Sequence, residues 1–143
     1  MRISREMIAV VAASIVVVLV IGLGFWKTRG PGAQRLLRAD EVRLRSLGQL
    51  AAEIHEEYSQ QGKQLPSGLS TERQSKYKDP VTGTPPEYIP NFPSKYTLCM
   101  TFATNSDENP SDGVYGFWSH PIGRKCFELD ASQFAPQVPY FAY

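Results

Sequence analysis

Cysteine and histidine are the residues of this chain best suited to nucleophilic, redox or metal chemistry, and each occurs only twice. The four positions are Cys99, Cys126, His55 and His120. Protein zinc sites usually combine four such ligands in short, characteristic spacings. The sequence has neither a CxxC nor an HExxH motif, so a metal or thiol site would require reduced cysteines and histidines that converge on them.

The two cysteines fit a disulfide better than a catalytic role. An even pair in a small extracytoplasmic domain most simply forms a disulfide. Each cysteine alternates with apolar residues in a strand-like run, so both should lie on the face of one antiparallel sheet that is opposite the core. We predict a disulfide between Cys99 and Cys126, no catalytic residue and no cofactor.

The histidines are predicted to have structural roles. His55 lies among three glutamates on the polar side of a helix, where a solvated imidazole is expected. His120 precedes a proline in a turn, where its ring could bond a backbone carbonyl. Its alternative role is a catalytic pair with Cys126 or Cys99, which would need a free thiol.

Oxygen ligands are concentrated in the loop NSDENPSDG, residues 105–113. Asp107, Glu108 and Asp112 are weak calcium candidates there. Their spacing departs from the twelve-residue calcium loop, in which alternate positions carry ligands and a glutamate closes the site. The prediction is a polar turn without a metal.

A proline-rich segment, DPVTGTPP, precedes the first predicted strand. Asp79 and Pro80 begin a turn, and Gly83 tolerates a positive φ within it. Pro85 and Pro86 then hold the chain extended. We predict that these five residues form a structural turn.

The N-terminal part of the chain has a different composition. Residues 7–26 are 20 consecutive positions without a charge, about the length that crosses a 30 Å hydrocarbon core. This run predicts a transmembrane helix, preceded by a stub (1–6) and followed by a juxtamembrane linker (27–34). A cleaved signal peptide is the alternative interpretation.

Flanking charge and cysteine usage disagree about the side of the membrane. Four basic residues closely follow the apolar run and two precede it, which would keep the C-terminal domain in the cytoplasm. A disulfide would instead place it outside. We predict a single-pass membrane protein with an extracytoplasmic domain, and a cytoplasmic-facing domain as the alternative.

The remaining residues predict one α+β domain. In residues 35–62, apolar positions recur at three- and four-residue steps, as in an amphipathic helix. Residues 63–143 form a loop-rich region with strands of alternating pattern. The expected fold is a long helix packed on an antiparallel sheet of three or four strands. The predicted strands cover residues 87–89, 95–103, 114–118 and 124–130.

This order of features resembles type IV pilins and pseudopilins. The shared features are the helix, the Leu65-Pro66 and Gly68-Leu69 loop, and the Asp-Pro, Gly, Pro, Tyr turn of residues 79–88. The chain is also similar to uncharacterised bacterial membrane-anchored domains with a DPxTGxP turn and two strand cysteines. The resemblance implies a pilin-like fold. Gly24-Phe25 lies at the far end of the apolar run, so a pseudopilin would be of a non-standard kind.

Charge and aromatic content bear on possible partners. Lys and Arg total 15 against 14 for Asp and Glu, which gives no basic field for nucleic acid.

Several aromatic residues could form a contact surface or fill a thin core. They are Tyr88, Tyr96, Tyr115, Phe117, Trp118, Tyr140, Phe141 and Tyr143.

These observations together predict a non-enzymatic protein with a structural or protein-interaction role. The expected partners are the lipid bilayer and another membrane or envelope protein, and the sequence indicates no oligomeric state. One alternative is a non-standard pseudopilin subunit of a secretion or pilus assembly. The other is a cytoplasmic-facing thiol or metal enzyme.

Overall fold

The computed structural model describes residues 5–27, 31–106 and 116–138 of the 143-residue chain. The chain divides into two compact units, Met1–Gln34 and Arg35–Tyr143. The sheet and the hydrophobic core belong to the second unit.

The first unit contains helix α1 (Arg5–Lys27). The apolar side chains that the structure describes in this helix are exposed, among them Val11, Val18 and Leu23. A membrane-spanning helix needs roughly 20 consecutive apolar residues, and no helix in the described part of the chain is long and apolar enough to cross a bilayer. This finding contradicts the predicted transmembrane helix over residues 7–26, and with it the single-pass membrane location.

Helix α2 (Pro31–Gln60) is the longest element among the described residues. Proline is favoured in the first helical turn because its missing N–H would have no partner there. After the helix, the backbone N–H of Lys63 donates to Tyr58 O, and Gly62 adopts a positive φ of 70°. The predicted amphipathic helix is confirmed, with its apolar stripe facing the core. Its buried residues include Leu44, Leu47, Leu50, Ala51, Ile54 and Tyr58.

Helix α3 (Thr71–Lys76) lies in the polar loop after α2. Arg73 forms an ion pair with Glu57 of α2. The hydroxyl of Tyr77 donates to Glu53 Oε1 over 2.5 Å. These contacts hold the loop against α2.

Three antiparallel strands form the sheet, in the order β1-β2-β3. They are β1 (Glu87–Asn91), β2 (Lys95–Phe102) and β3 (Gly123–Asp130). The α+β class and the antiparallel sheet are therefore confirmed, together with three of the four predicted strands.

Alternation along the strands divides the sheet into a core face and an outer face. On the core face, Leu98 pairs with Phe127 and Tyr96 pairs with Leu129, and all four residues are at most 5% exposed. On the outer face, the exposed residues include Glu87, Ile89, Thr101, Arg124 and Glu128. This division follows from the period of two in a pleated strand.

The fourth predicted strand, residues 114–118, is wrong where the structure describes it. Residues 116–118 form a 3-10 helix, and Gly116 has a φ of 35° that is incompatible with a strand. This turn directs Trp118 into the core, where it is 1% exposed, and its indole N–H donates to Gln137 O at 3.1 Å.

Candidate functional site

The predicted proline-rich turn is organised by the carboxylate of Asp79. Its Oδ1 atom accepts hydrogen bonds from the backbone N–H groups of Val81, at 2.7 Å, and Thr82, at 2.9 Å. The backbone of Asp79 also bonds to Thr84 O and Gly83 N. Gly83 has a φ of 73°, which glycine adopts at little cost. The Asx turn thus explains why aspartate and glycine occur at these positions.

The prolines connect this turn to the sheet. Pro80 follows the capping aspartate, and Pro85 and Pro86 lead directly into β1. Pro86 is buried, whereas Pro85 is exposed and lines a groove. Because their φ angles are fixed, the prolines reduce the conformational entropy that folding must overcome.

Asp79 also binds a buried arginine of α2. Arg43 Nε donates to Asp79 Oδ2 at 2.6 Å, and Arg43 Nη2 donates to Asp79 Oδ1 at 3.1 Å. The two side chains are each 5% exposed. Such a bidentate pair fixes both distance and orientation, so the turn is held to one side of α2.

A second buried carboxylate, Asp40, completes the cluster. It accepts a hydrogen bond from Arg43 Nη1 at 2.5 Å. It also accepts from the backbone N–H groups of Ala103, at 3.0 Å, and Thr104, at 2.7 Å. We call Asp40, Arg43 and Asp79 the charge clamp. It joins α2 both to the proline-rich turn and to the chain just after β2.

The contacts between Arg43 and Asp79 keep both of these groups ionised. Burial alone would raise the pKa of Asp79, but hydrogen bonds from Arg43, Thr82 and Val81 outweigh it and lower this pKa to about 2. Burial alone would likewise lower the pKa of Arg43, and the two carboxylates outweigh it and raise that pKa. With all three nitrogens of Arg43 engaged, the clamp is suited to holding structure rather than to transferring protons.

The disulfide lies on the outer face of the sheet. Cys99 and Cys126 are directly opposite in the register of β2 and β3, and their sulfur atoms are 2.13 Å apart. Their Cα atoms are 4.0 Å apart, close to the value of about 4.5 Å for non-hydrogen-bonded antiparallel pairs. The predicted pairing and its position on the outer face are confirmed.

A groove of about 450 Å³ lies between the clamp, the turn and the disulfide. Arg124 and Glu87 form an exposed ion pair there, with 2.6 Å between Nη2 and Oε2. Arg124 Nη2 also lies 3.4 Å from Cys99 Sγ. We call this the disulfide groove. Two of the predicted turn residues, Asp79 and Pro85, therefore line the same groove as one of the predicted cysteines, Cys99.

A second groove, of about 510 Å³, lies at the end of the sheet where Lys95 pairs with Asp130, and residues of both faces line it, among them Glu128 of the outer face and Leu129 of the core face. Phe134 is fully exposed and Phe117 is 44% exposed, and both line this groove. Lys95, Glu128 and Asp130 supply charges beside the two rings. We call it the aromatic groove, since two exposed phenylalanines are its most unusual feature.

The two histidines have different surroundings. His55 is half-buried rather than solvated, and its Nδ1 lies 2.9 Å from Gln133 O. Its ring contacts Tyr96 edge-on, and burial lowers its pKa despite the contacts with Gln133 and Asp130. His120 is 3% exposed and stacks on Phe102, with 3.8 Å between the ring centroids.

The weak calcium candidates Asp107, Glu108 and Asp112 lie outside the described residues. Among the residues that are described, no group of three or more His, Cys, Asp or Glu side chains is placed to hold a metal ion.

The sequence did not single out Asp40 and Arg43. A signal was nevertheless present, because positions 40, 43, 44, 47 and 51 follow the helical period of the buried stripe. Charged residues in phase with an apolar stripe must be paired when the helix is buried. Their distant partner, Asp79, could not be identified from local spacing.

Comparison with known proteins gives no relative: no family model matches the chain, and neither a curated protein nor a solved structure is significantly similar to it.

Proposed function

We propose that the unit of residues 35–143 is a non-catalytic interaction module that binds an extended segment of a partner protein in the aromatic groove. The observation that carries this proposal is the pair of exposed phenylalanines, Phe117 and Phe134, at a groove of about 510 Å³. Solvent-exposed aromatic rings around a concave surface are typical of contact sites between proteins.

The sheet supports this role through its two unlike faces. Its core face is covered by α2 and contributes buried residues such as Leu98 and Phe127. On its outer face, Ile89 is 44% exposed, and Glu128 is also exposed beside the groove. The groove is continuous with the core, because the ring of Phe117 lies 5.8 Å from that of Phe127. A partner in the groove can cover the exposed part of Phe117 while α2 still covers the core face.

The charges indicate the chemistry of the partner segment. Two carboxylates, Glu128 and Asp130, and one ammonium group, Lys95, line the aromatic groove, so its formal charge is negative. A segment with apolar side chains for the rings and lysine or arginine for the carboxylates matches this surface. The proposed partner is therefore a protein with an exposed, extended segment that alternates apolar and basic residues.

Fluorescence anisotropy with a labelled peptide tests the proposal. The probe alternates leucine and lysine, and a matched probe carries glutamate in place of lysine. The lysine probe should bind more tightly than the glutamate probe. Phe134→Ser should raise its Kd by about tenfold or more, as expected for an aromatic residue at the centre of an interface.

Ile122→Ser is the matched control, because Ile122 is 64% exposed and lines neither groove. It removes a similar apolar surface and should leave the Kd unchanged. Equal losses in the two variants would contradict a specific site, and so would equal affinity for the two probes.

A pseudopilin-like subunit of a secretion or pilus assembly is a second candidate. It is favoured by the packing of a long helix, α2, on a small antiparallel sheet that follows the Asp79 turn. Intact mass of the chain isolated from its native host tests it. A chain shortened at its N-terminus would support this candidate, and one that begins at Met1 would count against it.

A further inference from the structure

The two sulfurs of the disulfide have different surroundings. Cys99 is 2% exposed and lines the disulfide groove. Cys126 is partly exposed on β3. An external thiol therefore reaches Cys126 more easily than Cys99. Which sulfur is attacked, and which one leaves, determines the course of any thiol–disulfide exchange.

A fixed positive charge lies beside the buried sulfur. Arg124 Nη2 donates to Cys99 Sγ at 3.4 Å, and Glu87 Oε2 accepts hydrogen bonds from Nε and Nη2 of the same guanidinium. Glu87 thus positions Arg124 over Cys99. A neighbouring cation stabilises a thiolate, and a more stable thiolate is a better leaving group.

We propose that the Cys99–Cys126 disulfide is a thiol-exchange site, where a low-molecular-weight thiol forms a mixed disulfide with Cys126 and Cys99 is released as a thiolate beside Arg124. The incoming thiol first loses its proton to solvent. Its sulfur then bonds to Cys126 Sγ, and the electron pair of the broken Sγ–Sγ bond passes to Cys99 Sγ. The exchange consumes one disulfide and one thiolate, and it forms one disulfide and one thiolate. No other oxidant or reductant is therefore needed.

The fold can accommodate this exchange without unfolding. Strands β2 and β3 pair from Lys95 with Asp130 to Phe102 with Gly123, on both sides of the cysteines. Their apolar side chains are buried on the opposite face of the sheet. The sheet therefore has pairing and packing that do not depend on the bond between the sulfurs.

The experiment uses the full chain and β-mercaptoethanol, a neutral thiol, with the reaction quenched by iodoacetamide and read by peptide mass. The mercaptoethanol adduct should appear on Cys126 and the alkyl group on Cys99. Arg124→Gln should slow formation of the adduct roughly fivefold, because it removes the cation beside the departing Cys99 thiolate. Arg124→Lys keeps the charge and should retain most of the rate.

Lys125→Gln is the matched control, because it removes the same charge one residue away. Lys125 pairs with Met100, and so projects from the other face of the sheet. An equal loss of rate in Lys125→Gln and Arg124→Gln would overturn the proposal, as would an adduct on Cys99. Unfolding free energies are measured in parallel, since rates that follow stability across the variants would also overturn it.

Discussion

Arg43 and Asp79 form a bidentate ion pair across 36 positions of sequence, between the second helix and the turn that precedes the sheet. Asp40 binds the third nitrogen of the same guanidinium. A buried pair of this kind contributes little compared with apolar packing, but losing one partner is costly because the other charge stays buried. The charge clamp is therefore the first target for mutation.

Asp79→Asn should destabilise the domain by about 3–5 kcal/mol. The amide retains an oxygen for the backbone N–H groups of Val81 and Thr82, so the loss reports on the pairing with Arg43. Urea denaturation monitored by circular dichroism measures it. Glu87→Gln, which breaks the exposed pair with Arg124, should cost less than about 1 kcal/mol. Similar losses in the two variants would contradict the special role of the clamp.

Acid should weaken the domain through the same carboxylate. The pKa of Asp79 is about 2 in the folded chain, against an ordinary value of 3.8. A lowered pKa stabilises the fold at pH values above the ordinary pKa. This contribution disappears as pH falls from about 4 to about 2. Its size is about 2.5 kcal/mol, at roughly 1.4 kcal/mol for each pH unit. The unfolding free energy of Asp79→Asn should show a correspondingly smaller loss over this range.

His55 should give a second, milder pH dependence. Burial lowers its pKa below the ordinary value of 6.5, with Asp130 the nearby charge that opposes the shift. Protons therefore bind the unfolded chain more readily, and stability should fall as pH drops below about 6.5. Histidine NMR titration measures this pKa directly. A midpoint at or above 6.5 would contradict the lowering of this pKa by burial.

Gly48 should be intolerant of a side chain. A Cβ atom there would lie 1.8 Å from Val138 Cγ2, so alanine forces the C-terminal segment to move. Gly48→Ala should accelerate amide hydrogen exchange in residues 133–138, although alanine favours the helix itself. The double variant Gly48→Ala/Val138→Ala removes the overlap and should restore slow exchange. Fast exchange in both variants would show that overlap with the Val138 side chain is not the cause.

Removing the disulfide should lower stability without abolishing the fold. The cysteines are 27 positions apart, and closing a loop of that length contributes about 3.5 kcal/mol through the entropy of the unfolded chain. Cys99→Ala/Cys126→Ala should therefore lose about this amount in denaturant titrations. The reduced wild-type chain should behave alike, and a large difference between the two would point to an effect of the substitutions themselves.

The features that sequence predicted well were those encoded by local period and turn chemistry. The stripe of α2, the alternation of β2 and the Asp79 turn each follow from spacing within a few residues. Two short, strongly alternating strands also predicted that Cys99 and Cys126 share a face. Trp118 was misassigned because an aromatic run near Gly116 fits a strand and a core-directed turn equally well.

The contacts that the sequence did not predict join distant parts of the chain. Nothing in the local pattern around Arg43 indicates a partner at Asp79, and the neighbours of His55 suggested solvent rather than Gln133. The aromatic groove likewise depends on Phe117 and Phe134 coming together across β3. Such pairings arise from the packing of whole elements, which spacing along one element does not specify.

The charge clamp has a consequence for the alignment of α2 on the sheet. Apolar side chains alone would allow a helix to slip along its partner by one turn, about 5.4 Å, with similar leucines in contact. In this domain, such a slip would separate Arg43 from Asp79, and Asp40 from Ala103 and Thr104. It would leave the buried carboxylate of Asp79 without its arginine, while Arg43 and Asp40, both on α2, would keep only each other. The clamp thus selects one axial position and one rotation of the helix, and the disulfide groove, which Arg43 and Asp79 line, inherits its shape from that choice.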